Sequence, residues 1–266
     1  MNMQTQYVSN GNDSHLSLKW LHRPKPRKDA KMRIYCFPYA GGNAGVFNDW
    51  PENFGDSIEV VAIAFPGRWL RSEENSISCM WQLTKEISDA MEAEMGLDYM
   101  FFGHSMGGLL SYQVAQSLSE AGHMLPKHLF VSACEAPRKT YEKKKRVRVD
   151  ELDEAGLLEH IQKLAGTPRE FLQDELMKKR IFASMIPDLT AIDNWEYEES
   201  QPLPIDITAF AGKQDDFVNV DGVRDWAQCT THGFNINLLT GGHFYINEKG
   251  RHSVFNTIKR TIELDY

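Results

Sequence analysis

Cysteine is scarce in this chain, and the four present are scattered: Cys36, Cys79, Cys134 and Cys229 form no Cys-x-x-Cys pair among 266 residues. That argues against a disulfide framework, and against a zinc site, which needs clustered ligands at short spacing. Cys36 and Cys134 lie in apolar runs, where a free thiol behaves as a small buried hydrophobe. Long hydrophobic runs are also missing. No segment approaches the roughly 20 apolar residues of a membrane span, and the polar first thirty residues hold no signal-peptide core. Basic charge is in deficit, with 29 Lys and Arg against 37 Asp and Glu; the net charge of -8 argues against nucleic acid as a general partner. These absences predict a soluble, cytoplasmic protein that works without membrane, metal or nucleic acid.

What is present is enough for one core. The chain is 42% hydrophobic, which suits one domain or one domain with an inserted lid. Residues 1–30, broken by Pro24 and Pro26, read as a polar, loosely ordered tail, and residues 31–266 as the domain. From Met32 onward, apolar β-rich runs alternate with helical patterns, the signature of a parallel sheet covered on both faces. Strands are predicted at 33–37, 58–64, 99–102, 128–132, 205–211 and 235–239, and helices over 80–95, 106–118 and 254–262. Between 138 and 202 there is only helical pattern and charge. Leu157, Leu158, Ile161 and Leu164 share a face up to Gly166, and Thr167-Pro168-Arg169-Glu170 reads as a new helix start. This interval is predicted to be a helical lid; the plainer reading is a surface helical subdomain.

Gly103-His104-Ser105-Met106-Gly107 follows a predicted strand and opens a predicted helix, the context in which G-x-S-x-G makes a nucleophile elbow. A serine needs a base, and the base an orienting acid. In an α/β-hydrolase fold they follow in the order Ser, Asp or Glu, His, each just beyond a strand's carboxyl end. Asp215, after 205–211, and His243, after 235–239, occupy those places. Asp216 is the competing acid; the spacing from Gly212 and the later Val218 favour Asp215. Asp206 lies at the wrong end of its strand, His232 and His252 read as surface residues, and His104 as packing beside the elbow. For the oxyanion, Met106 supplies the backbone N–H after the nucleophile, and Ala40 one from the loop after the first predicted strand.

Phe37-Pro38-Tyr39-Ala40-Gly41-Gly42 with Trp50-Pro51, Pro66-Gly67-Arg68 with Arg71, the Ser105 block and Gly241-Gly242-His243-Phe244 together resemble the type II thioesterases of nonribosomal peptide and polyketide assembly lines. The resemblance runs from Met32 to the last helix. Two places depart from it: 131–137 replaces the Gly-Arg that commonly follows a serine there, and Asp216 stands where proline often follows the acid. The resemblance implies a serine hydrolase that clears acyl groups from the phosphopantetheine arm of a carrier protein, by editing or product release, and that needs no cofactor of its own. Asp13-Ser14-His15-Leu16 is a weak likeness of a phosphopantetheine attachment site with too few residues before it for a carrier domain. The expectation is therefore a free-standing monomer that meets its carrier in trans. The basic stretch Lys139, Lys143, Lys144, Lys145, Arg146 and Arg148 reads either as a docking patch for an acidic carrier or as a solvated loop. Two rival functions stay open: an esterase or acyl-CoA thioesterase acting on small substrates, and a binding protein on the same fold.

Overall fold

A computed structural model describes residues 17–143, 148–163 and 172–265. Its strands are β1 (Leu21–His22), β2 (Met32–Phe37), β3 (Ile58–Ile63), β4 (Asp98–His104), β5 (His128–Ser132), β6 (Asp206–Gly212) and β7 (Phe234–Leu239). They form one sheet in the order β1-β3-β2-β4-β5-β6-β7. β1 is antiparallel to β3, and every other neighbouring pair is parallel. Each predicted strand is present, with no end moved by more than two residues.

The helices are α1 (Met80–Glu92), α2 (Met106–Glu120), α3 (Pro137–Lys143), α4 (Glu154–Lys163), α5 (Glu175–Asn194), α6 (Val220–Arg224) and α7 (Gly250–Asp265). Alternation along each strand sends side chains to opposite faces. Tyr35, Phe37, Val61, Ile63 and Phe101 pack with α1 and α2 on one face. Ile34, Cys36, Val60, Phe102, Phe130 and Phe210 pack with α7 on the other. A strand buried on both faces has no polar side, which is why Ile58–Ile63 is buried along its whole length. Its one charge, Glu59, is answered by Arg33 Nε at 3.0 Å and the Arg27 amide at 3.0 Å.

The interval 138–202 contains no strand among the described residues. Within it α4 and α5 build a small core of their own from Leu157, Ile161, Met185 and Leu189, joined by Val149. Leu164, Gly166 and Thr167-Pro168-Arg169-Glu170 lie outside the described residues, as do Lys144, Lys145, Arg146 and Asp13-Ser14-His15-Leu16.

Register decides where function can sit. Phe37 lies opposite Gly103, His104 opposite Ser132, Ser132 opposite Phe210, and Gly212 opposite Leu239. The carboxyl ends of five parallel strands therefore share one edge, and the loops that leave them meet there.

The reading of residues 1–30 as a loosely ordered tail needs correction from residue 17 onward. Leu21 and His22 pair with Ile63 and Ala62, and the Ala64 amide donates to the Trp20 carbonyl at 2.8 Å. Trp20 is fully buried, edge-on to Phe65 and beneath the Arg71 guanidinium. Arg27 ties the following turn to the Pro51 carbonyl at 2.8 Å and to Ile58 at 2.6 Å. Pro24 and Pro26 exclude a helix but not an anchored extended path. Trp20→Ala should lower unfolding stability by about 3–5 kcal/mol, whereas Leu18→Ala, at an exposed position, should change it by less than about 0.5 kcal/mol. Urea denaturation of both variants checks this; equal midpoints would mean that the segment adds nothing to the core.

Candidate active site

Ser105 sits between the last residue of β4 and the first of α2, at φ 55° and ψ -121°. A non-glycine residue pays a steric penalty there, and such strain survives only when its surroundings hold it. The Ser105 amide is fixed to the Ser132 carbonyl at 2.7 Å, and its own carbonyl accepts from the Gly108 amide at 2.9 Å, opening α2. Gly107 is where the helix presses on the neighbouring loop: a Cβ there would run into the carbonyls of Phe37 and Pro38. The elbow and the 38–42 loop can lie this close only without that side chain.

Ser105 Oγ lies 2.9 Å from His243 Nε2, and His243 Nδ1 lies 2.8 Å from Asp215 Oδ2. The other Asp215 oxygen accepts from the amides of Phe217 at 2.9 Å and Val218 at 3.1 Å, a local turn that pins the carboxylate. The Asp215 side chain is fully buried while Asp216 is exposed, so geometry separates the two neighbouring aspartates. His232 and His252 are exposed, and Asp206 binds the Gly233 amide at the opposite edge of the sheet. The result is a continuous line from a strained serine, through an imidazole, to a carboxylate held by three donors.

His104 lies behind this line, fully buried, its ring 5.5 Å from that of His243. A polar chain runs from His104 Nδ1 to Ser132 Oγ (2.9 Å), to Tyr245 Oη (2.6 Å), to the Phe210 carbonyl (3.0 Å). The carbonyl can only accept, so Tyr245 donates to it, Ser132 donates to Tyr245, and His104 Nδ1–H donates to Ser132. Burial, and then the neighbouring His243, hold the His104 pKa well below the ordinary 6.5. A second charge beside the base is thereby avoided.

The two residues expected to offer backbone N–H groups to an oxyanion, Ala40 and Met106, lie beside this line. Met106 opens α2, so its amide has no carbonyl within the helix to receive it. Ala40 lies in the turn closed by the Gly42 amide on the Tyr39 carbonyl at 2.8 Å. Both line the same cleft as Ser105 and His243, a cavity of about 370 Å³. Its walls are mainly apolar, from Leu109, Met185, Leu189, Ile192, Phe217 and Val218, so α5 forms one side. Glu135, Lys143, His160 and Asp193 supply a polar part. Glu135 occupies the departure noted at 131–137; its buried carboxylate accepts from Lys143 and from the Asn219 amide. Of the basic stretch, Lys139 is paired with Glu142, Lys143 with Glu135 and Arg148 with Asp150.

Sequence reasoning missed three contributors. Tyr245 carries no motif of its own beyond its place after Gly241-Gly242-His243-Phe244. Arg68 stood in a recognised block without a role. Asp188, buried on α5, is reached from no local pattern at all.

One consequence follows for stability. Below pH 6.5 the unfolded chain protonates residue 104 while the folded protein does not, so stability falls as pH drops, by up to about 1.4 kcal/mol per unit. It is fully present above the unfolded value. His104→Asn should flatten this part of the profile between pH 6.5 and 5; melting curves with the same slope for both proteins would show that His104 is not held neutral.

Comparison with known proteins gives the family of the chain. Residues 32–262 match the Thioesterase domain family. The gramicidin S biosynthesis protein GrsT of Aneurinibacillus migulanus is 30% identical over 230 residues, 86% of this chain and 89% of that protein. The medium-chain S-acyl fatty acid synthase thioesterase of Anas platyrhynchos is 32% identical over 233 residues, covering 86% and 91%. Among solved structures, the RedJ thioesterase from the prodiginine pathway of Streptomyces coelicolor superposes with a TM-score of 0.81 at 33% identity, covering 89% of this chain and 92% of that one. The chain belongs to the thioesterase domain family and is built on the α/β-hydrolase fold.

Proposed function

We propose that this protein is a free-standing type II thioesterase that hydrolyses acyl groups from the phosphopantetheine arm of carrier proteins in a nonribosomal peptide or polyketide assembly line. The observation that carries the reading is the Ser105–His243–Asp215 line opening on an apolar cleft, in a chain of this family. Relatives named for gramicidin S and prodiginine biosynthesis support the pathway class.

Each step uses a group already in reach. Ser105 Oγ attacks the thioester carbonyl as His243 Nε2 takes its proton; Asp215 holds the imidazole and favours its cationic form. The oxyanion receives the amides of Ala40 and Met106. As the tetrahedral adduct collapses, the C–S bond breaks, and the pantetheine thiol leaves with the proton from His243. Water then attacks the acyl-serine with His243 again as base, releasing the acid and restoring Ser105. Phosphopantetheine enters as part of the substrate, and the chemistry requires no cofactor. The helices between 138 and 202 act as the lid that shapes the acyl cleft. The proposed setting is the cytoplasm, where the protein would act as a monomer on its carriers.

Ser105→Ala should abolish hydrolysis of an acyl-carrier thioester. Asp215→Asn should cut kcat by about 10⁴-fold, while Asp216→Asn leaves it near the parent value. Steady-state rates on a carrier and on CoA bearing the same acyl group complete the test. Retained activity in Ser105→Ala would overturn the mechanism, and a clear preference for CoA would overturn the substrate.

A further inference from the structure

The turn that presents Ala40 is gripped by a buried ion pair from two distant elements. Arg68 Nη1 and Nη2 meet Asp188 Oδ2 and Oδ1 at 2.6 Å each, a two-pronged pair with the two side chains 7% and 1% exposed. The pair also holds backbone. Asp188 Oδ2 accepts from the Gly41 amide at 2.8 Å, and Arg68 Nη1 donates to the Gly42 carbonyl at 3.0 Å. Gly41 has φ +77°, while Ala40 is not among the residues of positive φ. With the Gly42-to-Tyr39 bond, this defines a type II turn with glycine at its third position. The central peptide of such a turn can flip. Here its N–H is tied to Asp188.

Asp188 belongs to α5, and α5 is fitted to this contact. A Cβ on Gly41 would collide with the Met185 side chain, so the helix rests directly on the turn. Pro187 stands inside α5 and offers no N–H to the Ala183 carbonyl. Ser76 Oγ donates to that carbonyl at 3.4 Å. The same Ser76 packs against Gly67, the neighbour of Arg68. The helix, the 66–76 segment and the 38–42 turn thus meet around the buried Arg68–Asp188 pair.

We propose that Arg68 and Asp188 are positioning residues for the oxyanion hole: by fixing the Gly41 amide and the Gly42 carbonyl they aim the Ala40 N–H at the developing oxyanion. α5 is then part of the catalytic device as well as a wall of the acyl cleft. This rests on Ala40 being an oxyanion donor in the function proposed above. A donor displaced by about 1 Å loses most of its effect on the transition state and little of its effect on the ground state.

The test uses Arg68→Lys and Asp188→Asn in the full chain, with an acyl-carrier thioester as substrate. Both should lower kcat by about 10²-fold with KM nearly unchanged. Affinity for an acyl trifluoromethyl ketone, which forms a tetrahedral adduct with Ser105, should fall in step with kcat. Affinity for the non-hydrolysable acyl-pantetheine thioether should stay constant. A double variant, Arg68→Met with Asp188→Leu, separates positioning from packing, because an apolar pair can replace a buried ion pair without loss of fold. It should stay folded, with a melting temperature lowered by no more than the two unpartnered backbone groups of the turn cost, and remain as slow as the single variants. Recovery of kcat in the double variant, unchanged kcat in the singles, or equal weakening of both ligands would each overturn the proposal. Ser105→Ala, run alongside, tells these results apart from a failure of the serine mechanism itself.

Discussion

Ser105 is held at φ 55°, a conformation that costs an L-residue on the order of 1–3 kcal/mol. Everything around it works to make that conformation the only one available. Its amide is bound to β5, its carbonyl opens α2, and Gly107 lets the helix close against the loop leaving β2. The strain is useful because it lifts Oγ off the sheet edge, clear of the backbone that would otherwise surround it. A serine in ordinary extended or helical geometry at the end of β4 would point along the strand or into the core. The rest of the site is arranged around the position that this one residue is forced to take.

That position is shared by loops far apart in sequence, and parallel register brings them together. The imidazole arrives from the loop after β7, the carboxylate from the loop after β6, and the amides from the start of α2 and the loop after β2. Beneath them, the chain from His104 through Ser132 and Tyr245 to Phe210 crosses three strand ends with donors and acceptors in one consistent direction. Each hydrogen bond along this chain has one donor and one acceptor, while His104 Nε2 at its head is buried without a hydrogen-bond partner among the described residues. The chain stiffens the floor under His243, and burial beside that imidazole keeps His104 uncharged.

The parts legible in the sequence are those encoded over short distances. Strands buried on both faces are continuous apolar runs, and the elbow must place its glycines within two residues of the serine. The distinction between Asp215 and Asp216 is local too: the Asp215 carboxylate caps the amides two and three residues on. What escaped has no such signature. β1 is two residues long, too short for a period, and is held by Trp20 beneath Arg71 and by Arg27 reaching the Pro51 carbonyl. Asp188 lies 147 residues from the Gly41 amide it binds. Its only local mark is a carboxylate between Met185 and Leu189, on the apolar side of a helix that a proline interrupts.

A carboxylate and a guanidinium at such a place call for a reason other than stability. Removing two charges from water costs several kcal/mol each, and an apolar pair of similar volume often serves a core as well or better. What an apolar pair cannot do is answer backbone. The Gly41 N–H and the Gly42 C=O face inward from a turn that has already used the Tyr39 carbonyl and the Gly42 amide on each other. Left without partners, each would carry a desolvation penalty of roughly 1–3 kcal/mol, and the turn could relieve it by rotating its central peptide. One acceptor and one donor from a single rigid, doubly hydrogen-bonded pair satisfy both groups and set their directions together. The charge pair is thus explained by the geometry it imposes on two residues of backbone, beside one of the two amides proposed to meet the oxyanion.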